Sequence, residues 1–147
     1  MKTIFCFLLG TFTYITLSAQ PIQDFKIKNE SNSRARTQML DLLRNEIRNT
    51  YNFEAVFTVN HFKVSGNYAY LESVAQRKDN KKLIIPEDGG ECCQVGALFF
   101  RNNGTWEVAL NGIFPTDVWC YCITKSYPKA DIAIFTDFAR KASVQCD

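Results

Sequence analysis

The stretch at residues 96–119, GALFFRNNGTWEVALNGIFPTDVW, constrains the fold more than any other part of the chain. Two apolar runs, 95–101 and 105–113, flank Asn102-Asn103-Gly104. An Asn-Gly pair supplies the positive φ values that a tight hairpin turn requires. Alternation along the second run puts Trp106, Val108 and Leu110 on one side of the strand, with Glu107 and Ala109 on the other. Pro115 ends the strand. A lone two-stranded hairpin is marginal in water, so the remaining chain must supply more strands and a covering layer.

The covering layer is legible upstream. Met39, Leu40, Leu43, Ile47 and Tyr51 recur at three- and four-residue steps, which makes one apolar stripe on a helix over about 34–51. Ser31 or Ser33 is expected to cap it. Residues 20–33 read as an extended lead-in. Residues 54–64 (EAVFTVNHFKV) are rich in strand-forming types. Phe57 and Val59 share one phase there, Phe62 and Val64 the other, and a one-residue shift predicts a bulge near Asn60–His61. The chain turns at Ser65-Gly66-Asn67 and returns as a second strand over 68–75. Residues 77–91 mix cations with acids, amides, Gly and Pro, and predict a long solvated loop with a short extended piece at 83–85. Beyond the main hairpin, Thr116 and Asp117 are expected to cap a short helix carrying Val118, Trp119, Cys122 and Ile123. Asp131 is expected to open a last helix with Ile132, Phe135, Phe138, Ala139 and Ala142 facing inward.

Residues 1–19 carry a cation at Lys2, an apolar middle and small residues before Gln20, the layout of a cleaved secretory signal peptide. Thr11, Thr13 and Tyr14 interrupt the apolar run, so it makes a poor permanent membrane anchor. Removing 19 of 147 residues leaves 128, enough for one core and one domain over 34–147. The formal charge falls from +2 to +1, which leaves no electrostatic footprint for nucleic acid. Export to an oxidising compartment, periplasmic or secreted, predicts that some of Cys92, Cys93, Cys120, Cys122 and Cys146 are bridged. Adjacent Cys92 and Cys93 are unsuited to each other, because their Cα atoms sit about 3.8 Å apart. The favoured pairing joins the 92/93 pair to the 120/122 pair. A zinc cluster is the sharper alternative, but this spacing fits no standard zinc-ligand pattern.

The element order predicts an α+β domain: one long N-terminal helix on a curved four-stranded antiparallel sheet, then two short C-terminal helices. Cystatin-like and NTF2-like folds are the nearest architectures, by analogy of element order alone. LDLLR at 40–44, VSGNYAY at 64–70, ALFFR at 97–101 with GTWEV at 104–108, and PTDVW at 115–119 occur in that order. Together they resemble an uncharacterised family of small exported bacterial proteins with a Gly-x-Trp-x-Val hairpin followed by Pro-Thr-Asp-Val. The chain departs from that pattern with Tyr68 in place of a Trp, Phe114 in place of the Gly before Pro115, and extra cysteines. The resemblance implies export and a shared fold, and brings no activity with it.

No catalytic set stands out. His61 with one of the thiols could make a thiol hydrolase, but no cysteine stands in a nucleophile context. Asp117 with Glu107 could make a carboxylate pair, but Asp117 reads better as a cap. Arg34 and Arg36 place cations in a first helical turn, where the dipole disfavours them. Pairing with nearby carboxylates is the plainer account, and Arg34 is kept as a binding candidate beside Asp117 and Trp119. Trp119 reads as core or, less simply, as the wall of a concave mouth. No metal, phosphate-loop or dinucleotide motif is present, and no cofactor is implied. The expected function is a non-catalytic exported domain binding a protein or small ligand, with no nucleic acid and no membrane anchor after cleavage. The alternative is a small cone-like hydrolase or isomerase with its pocket near Asp117.

Overall fold

The amphipathic stripe forms the longest helix, α1 (Ser33–Tyr51), in a computed structural model that describes residues 20–84, 93–144 and 146. Met39, Leu40, Leu43 and Ile47 are its buried face, and each such side chain contributes about 1.5–3 kcal/mol by leaving water. Asn52 ends the helix in the left-handed region (φ 56°), its N–H bonding the carbonyl of Arg48. The expected serine cap is not formed: Asn32 precedes the helix and makes no side-chain cap bond. Its side chain instead stitches the preceding turn, donating to Ile27 O and accepting from Asn29 N. Ser31 donates to Asn29 Oδ1.

Five strands form one antiparallel sheet in chain order: β1 (Gln23–Asp24), β2 (Ala55–Ser65), β3 (Tyr68–Arg77), β4 (Gln94–Asn102) and β5 (Thr105–Ile113). The lead-in is therefore not merely extended. It adds a fifth, two-residue strand beside β2, with Gln23 opposite Val64 and Asp24 opposite Lys63. Arg36 holds this edge by donating from Nε to Phe25 O at 2.9 Å, which gives the first-turn cation a carbonyl partner rather than a carboxylate.

The β2–β3 register shifts between Val59 and His61, as the phase change predicts. The bulge keeps Phe57, Val59, Phe62 and Val64 all packed with the α1 core. A second shift, unforeseen, lies in β4–β5: Phe99 faces Val108 whereas Leu98 faces Leu110. Ala109 is the extra residue, so Leu110 leaves the side of Trp106 and Val108 and packs with Tyr70 and Leu98 instead.

The sheet is covered on both faces. Against one lies α1, with Phe62, Leu71, Ala97, Phe99 and Trp106. On the other lies the C-terminal segment, bringing Cys120, Ile123, Ile134, Phe135 and Ala139 onto Tyr70 and Leu98. That segment differs from its expected form. Residues 115–122 make turns, and the first helix, α2, covers only Ile123–Ser126. Cys122 adopts a left-handed backbone (φ 59°) immediately before it, which breaks any helix begun at Thr116 or Asp117. Asp131 caps a 3-10 turn (Ile132–Ile134) by accepting from Ala133 N. The last helix, α3 (Asp137–Val144), starts only after an extended Phe135. Ile132 and Phe138, expected inside, are exposed, whereas Phe135 and Ala139 are buried.

One disulfide joins Cys122 to Cys146 and ties the end of the chain to the start of α2. Cys93 is also bridged, while Cys120 is a free buried thiol. The expected cross-link from the 92/93 pair to the 120/122 pair is thus not made. Cys120 packs into the layer on Tyr70 and Leu98, and Cys122 meets the tail beyond α3. Cys92 and the signal segment 1–19 lie outside the described residues.

Candidate functional site

Two glycines organise the face under the C-terminal segment. Gly96 of β4 and Gly112 of β5 are register partners, and the Trp119 ring rests on both. A Cβ at Gly96 would stand 2.1 Å from Trp119 Cζ2, and one at Gly112 2.2 Å from Trp119 Cγ. No residue with a side chain fits under the indole. Tyr70 stacks nearly parallel to the ring, at 5.7 Å and 12°. The indole is therefore placed by three strands and a turn.

Beside it opens a cavity of about 570 Å³ whose lining includes Asn60, Glu72, Gln94, Asp117, Trp119 and Phe138. A volume of that size suits a small molecule. Among the described residues, the lining holds two carboxylates and no Lys, Arg or His. Glu72 sits on β3 opposite Gly96. Its Oε1 accepts from Tyr70 Oη and from Thr136 Oγ1, both at 2.6 Å. Thr136 comes from the residue before α3, so sheet and C-terminal layer meet at this carboxylate.

The neighbouring hydroxyl and thiol keep their protons. Burial, and then the Glu72 charge, push the Tyr70 hydroxyl well above its ordinary range. Burial, and then Glu72, also raise the Cys120 thiol. Cys120 is thus a weak nucleophile. His61 does not activate it: Nε2 donates to Ile134 O at 2.6 Å, and the ring stands edge-on to Tyr70. The Cys–His arrangement weighed from the sequence is replaced by Tyr70, Glu72 and Thr136.

Asp117 lies at the cavity as an exposed residue whose Oδ1 accepts from Val118 N. Trp119 is half-buried and lines the same cavity. Arg34 is not brought to them. It is exposed in the first turn of α1, on the other side of the sheet. Glu107 is exposed on β5 opposite Phe100 and does not line the cavity, so among the described residues the carboxylate that accompanies Asp117 is Glu72. Sequence reasoning missed Glu72. The available signal was Tyr70-x-Glu72, two residues that must share a strand face.

A second cavity, about 490 Å³, borders Arg48, Phe53, Glu54, Arg77, Lys78 and Asp79. Four of its charges pair with one another: Lys78 with Glu54 at 2.8 Å and Arg77 with Asp79 at 2.7 Å. Arg77 also lies over the Phe53 ring. Among the described residues no group of three or more His, Cys, Asp or Glu side chains could hold a metal ion. Among them, too, no helix is long and apolar enough to cross a membrane. Compared with protein-family models, curated proteins and solved structures, the chain finds no match.

Proposed function

We propose that this protein is an exported domain that binds a small molecule, without catalysis, in the cavity beside Trp119. The observation that carries the reading is the cavity itself. An indole seated on Gly96 and Gly112 forms a wall, and Glu72 and Asp117 line the same opening. A concave, half-open space with a few convergent polar groups suits a small ligand better than a flat protein-docking face does. Export draws on the layout of residues 1–19 and on the Cys122–Cys146 bridge, which persists in oxidising compartments. The motif resemblance to small exported bacterial proteins points the same way. One long helix followed by an antiparallel meander keeps the cystatin- and NTF2-like analogy as a description of layout.

The catalytic alternative, a hydrolase or isomerase near Asp117, rests on Glu72 as a proton acceptor at the cavity. It is the weaker reading, because the hydroxyl and thiol beside Glu72, those of Tyr70 and Cys120, hold their protons. A mixed-charge fragment library screened by ligand-observed NMR tests the binding claim, with Thr116→Trp as a variant that fills the cavity from an exposed position. Hits that vanish in the variant are expected. A screen without such hits refutes the reading. Mass spectrometry of the exported protein should find Gln20 at its N-terminus, and retention of residues 1–19 would refute cleavage.

A further inference from the structure

The cavity's charge identifies a ligand class, and this step rests on the binding reading above. We infer that the ligand is a small organic cation: an ammonium group on a flat apolar body.

Three observations carry it. Among the described residues, the lining has the carboxylates of Glu72 and Asp117 and no basic side chain. Glu72 is held by its neighbours through one oxygen only. Tyr70 and Thr136 both donate to Oε1, and Oε2 makes no hydrogen bond among the described residues. That oxygen can accept a bond from a ligand while the hydroxyl pair keeps the carboxylate in place. Last, Trp119 and Phe138 bring aromatic surface to the same cavity, and Phe138 is 58% exposed. Aromatic faces attract cations, and do so more strongly when water is excluded.

Charge balance separates this class from its competitors. An anion entering the site would meet two like charges, with no cation among the described lining residues to offset them. A neutral polyol could use Asn60, Gln94 and Thr116, which also line the cavity. It would, however, desolvate two carboxylates without neutralising either, and an uncompensated charge is costly to take from water. An ammonium supplies three donors and the opposite charge together. Ser73 adds nothing to selection, since its hydroxyl is already committed to Val95 O.

Isothermal titration of the purified protein with phenethylamine, 2-phenylethanol and 3-phenylpropanoate at neutral pH tests the class with shape held nearly constant. Phenethylamine is expected to bind roughly tenfold tighter than the alcohol or better, the worth of one charge-assisted hydrogen bond. The carboxylate should show no saturable binding. Asp117→Asn, an exposed substitution, should lower the amine's affinity several-fold and leave the alcohol's unchanged. Phe-Ala-Ala-amide, whose one cation is its amino terminus, separates a peptide end from a free amine as the source. If alcohol and amine bind alike, or the carboxylate binds best, the ammonium assignment is overturned while the cavity reading survives. If no probe binds yet the fragment screen yields cavity hits, the assignment falls alone. If that screen is also empty, both fall.

Discussion

Gly112→Ala should be among the most damaging single-methyl additions to this protein, because the new atom has nowhere to go. A Cβ there would stand 2.2 Å from Trp119 Cγ, 2.5 Å from Cβ and 2.6 Å from Cδ2. Ordinary carbon contacts lie at about 3.5–4.0 Å, so the indole must retreat by more than 1 Å. Because the clash reaches Trp119 Cβ, ring rotation alone does not relieve it and the backbone must shift. Overpacking of this kind costs about 1–3 kcal/mol, and the upper part of that range is expected. Removing a glycine from a strand returns roughly 0.5–1 kcal/mol. The net loss is then about 2 kcal/mol, or roughly 8 °C in Tm for a domain of this size. Gly96→Ala should cost less, about 1 kcal/mol net, since the atoms nearest its Cβ are Cζ2, Cε2 and Nε1, far from the Trp119 Cβ, and the ring can tilt away. Urea denaturation followed by far-ultraviolet circular dichroism, with the disulfide intact, measures both. The decisive arm is a double-mutant cycle with Trp119→Ala. Without the indole, Gly112→Ala should become neutral or mildly stabilising. An equal penalty in both backgrounds, or a Gly112→Ala protein within about 0.5 kcal/mol of its parent, would refute the glycine-seat argument.

Further outcomes follow from the same packing. Phe114 is buried in the left-handed region (φ 51°), meets Tyr51 edge-on and stacks on Phe53. Phe114→Gly relieves about 1 kcal/mol of backbone strain but forfeits about 3–5 kcal/mol of buried ring, so denaturant titration should show a net loss of at least about 2 kcal/mol. The Tyr70 hydroxyl and the Cys120 thiol are both raised in the folded state, from ordinary values of 10.0 and 9.0. The unfolded chain therefore ionises first, and stability is full below about pH 9 and falls above it, by up to ~1.4 kcal/mol per pH unit for each group. Tyr70→Phe should flatten that slope in a pH series of denaturation midpoints, even though it lowers stability at neutral pH. Cys146→Ser opens a link between residues 24 apart in sequence, and should cost about 3 kcal/mol by unfolding titration. A loss below about 1 kcal/mol would mean that the tail docks without its tether.

Most of the fold was legible because its signals are local. The stripe of α1, the Asn-Gly turn of the β4–β5 hairpin and the phase shift at Asn60 each lie within a few residues, and each appears where expected. The candidate site was half legible. Asp117 and Trp119 stand at the cavity, but Arg34 does not, and Glu72 was passed over. Counting outward from the turn pairs Gly96 with Asn111, and only the bulge at Ala109 moves its partner to Gly112. Nothing local announces that bulge, so the glycine seat was invisible. The C-terminal helices were misjudged for a related reason. Pro115-Thr116-Asp117 has good capping chemistry, yet placing Trp119 on the glycines draws the backbone into turns until Ile123.

What the sequence determined alone is the set of elements and the inward stripe of α1, since periodicity and turn chemistry act over a few bonds. What only the tertiary structure decided is which cysteines meet, which carboxylate joins Asp117, and that an indole lies across two glycines. Those pairings join residues tens of positions apart. Their partners are chosen by register and layer packing, in which one extra residue in a strand reverses every side chain beyond it.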